Sequence, residues 1–248
     1  MKRIHWKILL SVALIGLSFS IYLINYSIFH RGEDTLYYFL IDLAFLPLSI
    51  LFVTLIVDQL ITRQERRSMF NKLNMVIGAF FSEAGTELLN LFWKFDANPE
   101  YLRANLVFNK DWKQNDYYLL KKRFKSHKPE LNIHKGDIAH LKAFLSAKRE
   151  FLLRLLENPN LLEHETFTAL LWAVFHLTEE LCARSDFKNL PQADYEHLAG
   201  DIKRSYSLLI VEWIIYIRHL HNNYPYLYSL AVRTNPFDIK ASVIIKNK

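Results

Sequence analysis

Two long apolar blocks open the chain, and everything after them follows a helical period. Ile8–Phe29 holds no charged residue, and Leu36–Leu60 holds only Asp42 and Asp58, the latter close to its end. A helix rising ~1.5 Å per residue covers ~37 Å over Leu36–Leu60, enough to cross a hydrocarbon layer of ~30 Å with some tilt. Tyr37 and Tyr38 stand where an interfacial aromatic belt is expected. The first block exceeds the ~7–15-residue core of a cleaved signal peptide, and Ile21–Tyr26 shows no small-x-small cleavage pattern. The segment between the blocks, His30–Thr35, has room only for a turn. The pattern predicts a transmembrane hairpin over residues 1–61, with spans at about 8–29 and 36–60.

Beyond Leu60 the polarity changes at Thr62–Arg67, and the helical period then resumes. Phe70, Leu73, Ile77, Phe81, Ala84, Leu88, Leu91 and Phe95 step by three or four residues, one apolar stripe on one helix. With no strong breaker after Pro47, the second span is expected to run on into this helix, making 62–95 a cytoplasmic connector. Gly78, Ser82 and Gly85 form a second face of small residues. The stripe predicts packing on the chain's own domain; a dimer seam or a helix on the membrane surface are the alternatives.

Asp96–Pro99 breaks that helix, with Asn98 as cap and Pro99 as first helical residue. Pro99–Phe108 and Asp111–Lys125 read as short helices. Asp137 caps a helix reaching about Asn158, Leu161–Arg184 forms another, and Ala193–Asn223 forms the last long one. Tyr206–Ile217 is the most apolar stretch outside the predicted membrane region. It is too short to span, so it predicts the centre of a bundle. The tail from Tyr224 ends in Ser242–Ile245, either a short edge strand or disordered. The fold class expected is all-α: the two-span hairpin, the connecting helix, and a cytoplasmic helical-bundle domain over 96–248.

Charge sets the orientation. Lys2, Arg3 and Lys7 precede the first block, and Arg63, Arg66, Arg67 and Lys72 follow the second. The positive-inside rule puts both termini in the cytoplasm, in an integral protein of the inner or plasma membrane. Residues 1–61 carry four basic and four acidic residues, so the whole net charge of +6 lies after them. Much of it falls between Lys110 and Lys128, with seven basic residues against two acids. Lys121, Lys122, Arg123, Lys125 and Lys128 alternate there with Trp112, Tyr117, Tyr118 and Phe124. Such a run is either a solvated helix face over buried aromatics, a contact with anionic lipid headgroups, or a single-strand nucleic-acid platform. For a chain tethered to a bilayer, lipid outranks nucleic acid. Only six Gly and seven Pro suit long helices rather than many turns. Cys182 is the only cysteine, which excludes an intrachain disulfide and fits a reducing compartment. It reads as a small buried hydrophobe.

Chemistry is sparse. Asp42, in the second predicted span, is an intramembrane carboxyl, either hydrogen-bonded to Asn25 or concerned with ions. Glu165, His176 and Glu179 recur on one helix, and Glu212 and His219 on the last one. Metal-holding bundles use carboxylates and histidines from facing helices, with Glu-x-x-His as the usual pair. Here the order is His176-Leu-Thr-Glu179, the reverse. A buried polar cluster satisfying Glu212 is therefore the primary reading, and a metal site on His176, Glu179, Glu212 and His219 the secondary one. No HExxH, Walker loop, G-x-S-x-G or GxGxxG occurs. No cofactor is expected. The function this predicts is a non-enzymatic, membrane-anchored interaction or signalling module, partnered by the bilayer and by a second copy or another protein. A metal-dependent enzyme and a small ion-conducting oligomer built on Asp42 are the alternatives.

Overall fold

A computed structural model describes residues 2–29, 32–108, 111–159, 161 and 164–244. The chain divides into two units, Met1–Arg66 and Arg67–Lys248. Its elements are helices α1 (Lys2–Phe29), α2 (Gly32–Phe80), α3 (Thr86–Trp93), α4 (Pro99–Leu106), α5 (Gln114–Ser126), α6 (Ile138–Leu156), α7 (Glu165–Ala183), α8 (Gln192–Asn223) and α9 (Pro225–Arg233), with a π-helical turn at Phe81–Gly85. Among the described residues there is no strand, only an isolated antiparallel bridge between Asp96 and Leu131.

The first unit is helical and apolar on its outside. Leu36–Glu65 is the one helix among the described residues long and apolar enough to cross a membrane, and none of its most apolar window is buried. Val12–Ile28 is apolar but shorter. The rings of Tyr22 and Phe39 meet edge to face at 6.1 Å. Pro47 lies inside α2, at the cost of one backbone hydrogen bond.

The second unit is a helical bundle around α8. Helices α3, α5, α7 and α9 pack against α8, and α6 packs against α7. The apolar centre expected at Tyr206–Ile217 is there: Tyr206, Leu209, Ile210, Trp213, Ile214 and Ile217 are buried. Each such side chain contributes ~1.5–3 kcal/mol relative to exposure. Together they outweigh the burial of Glu212 among them, which as an unpaired polar group costs roughly 1–3 kcal/mol.

The stripe beyond the first unit joins this same core. Leu73, Ile77, Phe81, Ala84, Leu88, Leu91 and Phe95 are all buried, and so are Phe80, Leu89 and Phe92. The π-turn explains the widened stripe. The Thr86 amide reaches the Phe81 carbonyl five residues back, and the Thr86 hydroxyl donates to the same oxygen at 2.8 Å. One extra residue in the turn shifts the helical phase, so Phe80 and Phe81 both face inward. The expected small-residue face does not survive that shift. Ser82 is exposed, Gly78 stands beside Tyr216, and Gly85 is buried against the rings of Phe80 and Phe81. The Phe70 side chain lies outside the described residues.

One local expectation is corrected. Asn98 does not cap α4 with its side chain; its own amide instead donates to Asp96 Oδ1 at 2.8 Å. The tail from Tyr224 carries a further helix that was not expected, with Pro225 as the first residue of α9. Tyr228 and Phe237 are buried, and Asn235 Nδ2 donates to the Leu106 carbonyl at 2.6 Å. Ser242–Ile244 forms no strand, and Ile245 lies outside the described residues. Asp137 caps α6 by accepting from the His140 amide at 2.9 Å.

Candidate functional site

Helices α7 and α8 are joined by the short segment 184–191 and run antiparallel. His176 meets Asp201, Glu180 meets His197, and Arg184 meets Asp194, so rising numbers on one helix face falling numbers on the other. On α7 and its C-terminal cap, His176, Glu180 and Arg184 recur every four residues. On α8, Asp194, His197 and Asp201 recur at three and four. This periodicity stacks each set on one helix face, and the hairpin brings the two faces together.

At the centre are two imidazoles and two carboxylates. His176 Nε2 lies 3.4 Å from Asp201 Oδ2 and 3.9 Å from Glu180 Oε1. His197 Nε2 lies 3.4 Å from Asp201 Oδ2 and 3.5 Å from Glu180 Oε2. One ligand atom each of His176, Glu180 and His197 falls within a mutual 4.8 Å. Asp201 is buried, 3% exposed, while both imidazoles are about half exposed. Asp201 Oδ2 faces both rings without closing a hydrogen bond to either.

The arginines hold the outer edges. Arg184 forms a fork on Asp194, with Nε at 2.9 Å and Nη2 at 2.6 Å, and its Nη1 reaches Glu180 Oε2 at 2.8 Å. Hydrogen bonding to Arg184 holds the carboxyls of Glu180 and Asp194 below the usual carboxylate range, with the nearby histidines adding a smaller pull. Arg204 Nη1 lies 3.4 Å from Asp201 Oδ1.

Of the four residues expected to form a metal site, only His176 belongs to this cluster. Glu179 turns to α6 and pairs with Arg149 at 2.7 Å. Glu165 is exposed in the first turn of α7. Glu212 is buried, with neither carboxyl oxygen hydrogen-bonded. Burial pushes its pKa up, opposed by Thr166 and by the His164 and Lys121 charges. His219 bonds locally to Asn223, and burial lowers its pKa. A cavity of about 300 Å³ has Lys121, His164, Thr166, Arg218 and His219 on its wall. Three of the groups that act on Glu212 thus share that wall.

The basic run is a helix face over packed aromatics. Tyr117 and Phe124 are buried and Trp112 is half-buried, while Lys122, Arg123, Lys125 and Lys128 are exposed and Lys121 is half-buried. Only Tyr118 among the interleaved aromatics stands exposed. Asp42 and Asn25 are exposed in the first unit. Cys182 is exposed rather than buried, its Sγ 3.1 Å from Ser146 Oγ, because α7 turns this position outward.

Glu180, His197 and Asp201 were not singled out in the sequence. Their signal is a His-x-x-x-Glu on α7 and a His-x-x-x-Asp on α8. Both have four-residue spacing, whereas metal-holding bundles suggest three.

These features define a two-part, all-helical protein. Two parts of the chain match family profiles: residues 2–61 the N-terminal helical domain of MJ1433, and residues 69–233 the C-terminal helical domain of the uncharacterized protein MJ1433. The chain belongs to this family. It is 44% identical over 240 residues to the uncharacterized protein MJ1433 of Methanocaldococcus jannaschii, covering 97% of this chain and 96% of that one. No solved structure matches.

Proposed function

We propose that the protein is a membrane-anchored, non-enzymatic helical module. Its 67–248 domain serves as an interaction surface on the cytoplasmic side. The observation that carries this reading is the exposed apolar helix Leu36–Glu65 in a chain whose second unit has a closed core of its own. Side chains such as Leu40, Leu46, Ile50, Leu51, Phe52 and Ile56 are about half exposed. Each forfeits part of the ~1.5–3 kcal/mol that burial supplies, and an apolar surface of this extent marks a membrane or protein contact. The apolar α1 is the first arm of the anchor, and the basic flanks orient both termini to the cytoplasm. The exposed cations Lys122, Arg123, Lys125 and Lys128 suit anionic headgroups. Because the stripe from Leu73 to Phe95 is used by the domain's own core, any self-association runs through the span and not through a continued seam.

A reporter fused after Lys248 tests the orientation. It is expected to be active on the cytoplasmic side, and activity only outside the cell overturns the reading. Light scattering of the detergent-solubilised chain, with a pull-down from its own membranes, tests the interaction role. A strict monomer with no retrievable partner contradicts it.

A further inference from the structure

Asp201 is the anomaly that needs a physical account. A carboxylate 97% withdrawn from solvent is costly unless paired. Its Oδ1 has Arg204 at 3.4 Å, but its Oδ2 is buried without a hydrogen bond and points between two imidazole Nε2 atoms, each 3.4 Å away. Glu180 approaches from the other helix: Oε2 is held by Arg184 and also faces His197, and Oε1 turns toward His176. Each carboxylate is thus anchored by an arginine and still presents oxygen to both rings.

The spacing of Asp201 Oδ2 from the two rings is that of neighbouring ligands on a metal ion. Ligand atoms ~2.0–2.2 Å from a tetrahedral zinc ion sit ~3.3–3.6 Å from one another. Asp201 Oδ2 lies 3.4 Å from each imidazole Nε2, and one ligand atom each of His176, Glu180 and His197 falls within a mutual 4.8 Å, close enough for side-chain adjustment to bring them round one ion. Carboxylates anchored by arginines match the outer hydrogen bonds that orient metal ligands. Charge also favours a cation: with both imidazoles neutral, the three carboxylates of Glu180, Asp194 and Asp201 outnumber the arginines paired with them, Arg184 and Arg204. The half-exposed histidines leave an entry path, and mixed imidazole and carboxylate donors select first-row divalent metals over magnesium or calcium.

We propose that His176, Glu180, His197 and Asp201 bind one divalent transition-metal ion, which pins the N-terminal half of α8 to α7. The ion would be held by His176 Nε2, His197 Nε2, Asp201 Oδ2 and a Glu180 oxygen. This proposal is independent of membrane anchoring, since it concerns the second unit alone.

The test uses the full-length chain without a histidine tag, solubilised in detergent and stripped with chelator. Zinc and cobalt are titrated in, with magnesium and calcium as controls. The expected result is one zinc or cobalt ion per chain, a cobalt absorption band of a four-coordinate site, and a melting temperature raised by zinc but not by magnesium. His197→Gln and His176→Gln are each expected to weaken zinc binding about a hundredfold or more, at or beyond the ~10–100-fold typical of outer partners. These side chains are half exposed, so both variants fold. Asp201→Asn keeps the shape and is expected to weaken binding too. Glu179→Gln, whose carboxylate faces Arg149, is expected to bind like the parent. No stoichiometric zinc, zinc retained at parental affinity by the His176→Gln/His197→Gln pair, or equal loss in Glu179→Gln each overturns the proposal.

Discussion

The rings of Phe81 and Tyr216 stack nearly parallel, 13° apart with centroids 4.7 Å from each other. Phe81 opens the π-turn and Tyr216 lies on α8, so this pair ties the irregular turn to the central helix. Phe81 also meets Trp213 at 5.3 Å and Phe80 at 5.3 Å. Phe81→Ala is expected to destabilise the domain by about 3–5 kcal/mol, the range for removing a buried aromatic. Urea unfolding followed by tryptophan fluorescence measures it, and a loss below ~1 kcal/mol would contradict the packing described.

Gly85 closes the same turn with no room for a side chain. A Cβ there would stand 2.7 Å from both Phe80 Cε1 and Phe81 Cδ1. Gly85→Ala is expected to cost about 1–3 kcal/mol through overpacking, despite alanine's better helix propensity. Gly78→Ala, whose Cβ would meet only Tyr216 at 3.8 Å, is expected to be neutral or stabilising. Melting temperatures of the two variants separate these outcomes.

Glu212 gives a pH signature. Burial raises its folded-state pKa above the ordinary value near 4.5. The folded state therefore binds the proton more tightly than the unfolded chain. Stability is favoured in acid and falls as pH rises from about 4.5 through the raised folded value. Glu212→Met removes both the slope and the unpaired group, and should stabilise the domain by roughly 1–3 kcal/mol at pH 8. Unfolding free energies across pH 5–8 check it; an unchanged slope in Glu212→Met would contradict the assignment.

The Arg184 network has the opposite sign. Glu180 and Asp194 have lowered pKa values because Arg184 hydrogen-bonds to their charged forms. Their contribution is present above the unfolded carboxylate range and is lost as pH falls through the lowered values. Asp194→Asn is therefore expected to lower the melting temperature at pH 7, with a deficit that shrinks as pH falls below the ordinary carboxylate value, in chelator-treated protein. A pH-independent deficit would assign Asp194 a packing role instead.

Much of the helical framework was legible in the sequence, since leucine and phenylalanine spacing reports which face is buried. Every described member of the stripe from Leu73 to Phe95 is buried, and Tyr206–Ile217 lies at the bundle's centre. The π-turn was not legible. Its only signs are a second inward ring at Phe80 and a glycine at position 85, and both fit an ordinary helix equally well. Helix α9 was hidden because Pro225 stops one helix and starts another with the same ring. The polar cluster was half legible. Histidine and acid four apart marks a helix face, but which face meets which depends on the hairpin register. Glu179 and Glu180 are adjacent in sequence, yet one turns to α6 and the other to α8.

Anchoring depends on Leu36–Glu65 lying in a bilayer, and alkaline carbonate extraction of membranes containing the full chain tests this most directly. The chain is expected to stay in the membrane pellet with integral proteins. Its release into the supernatant with peripheral proteins would contradict the anchor and the function built on it.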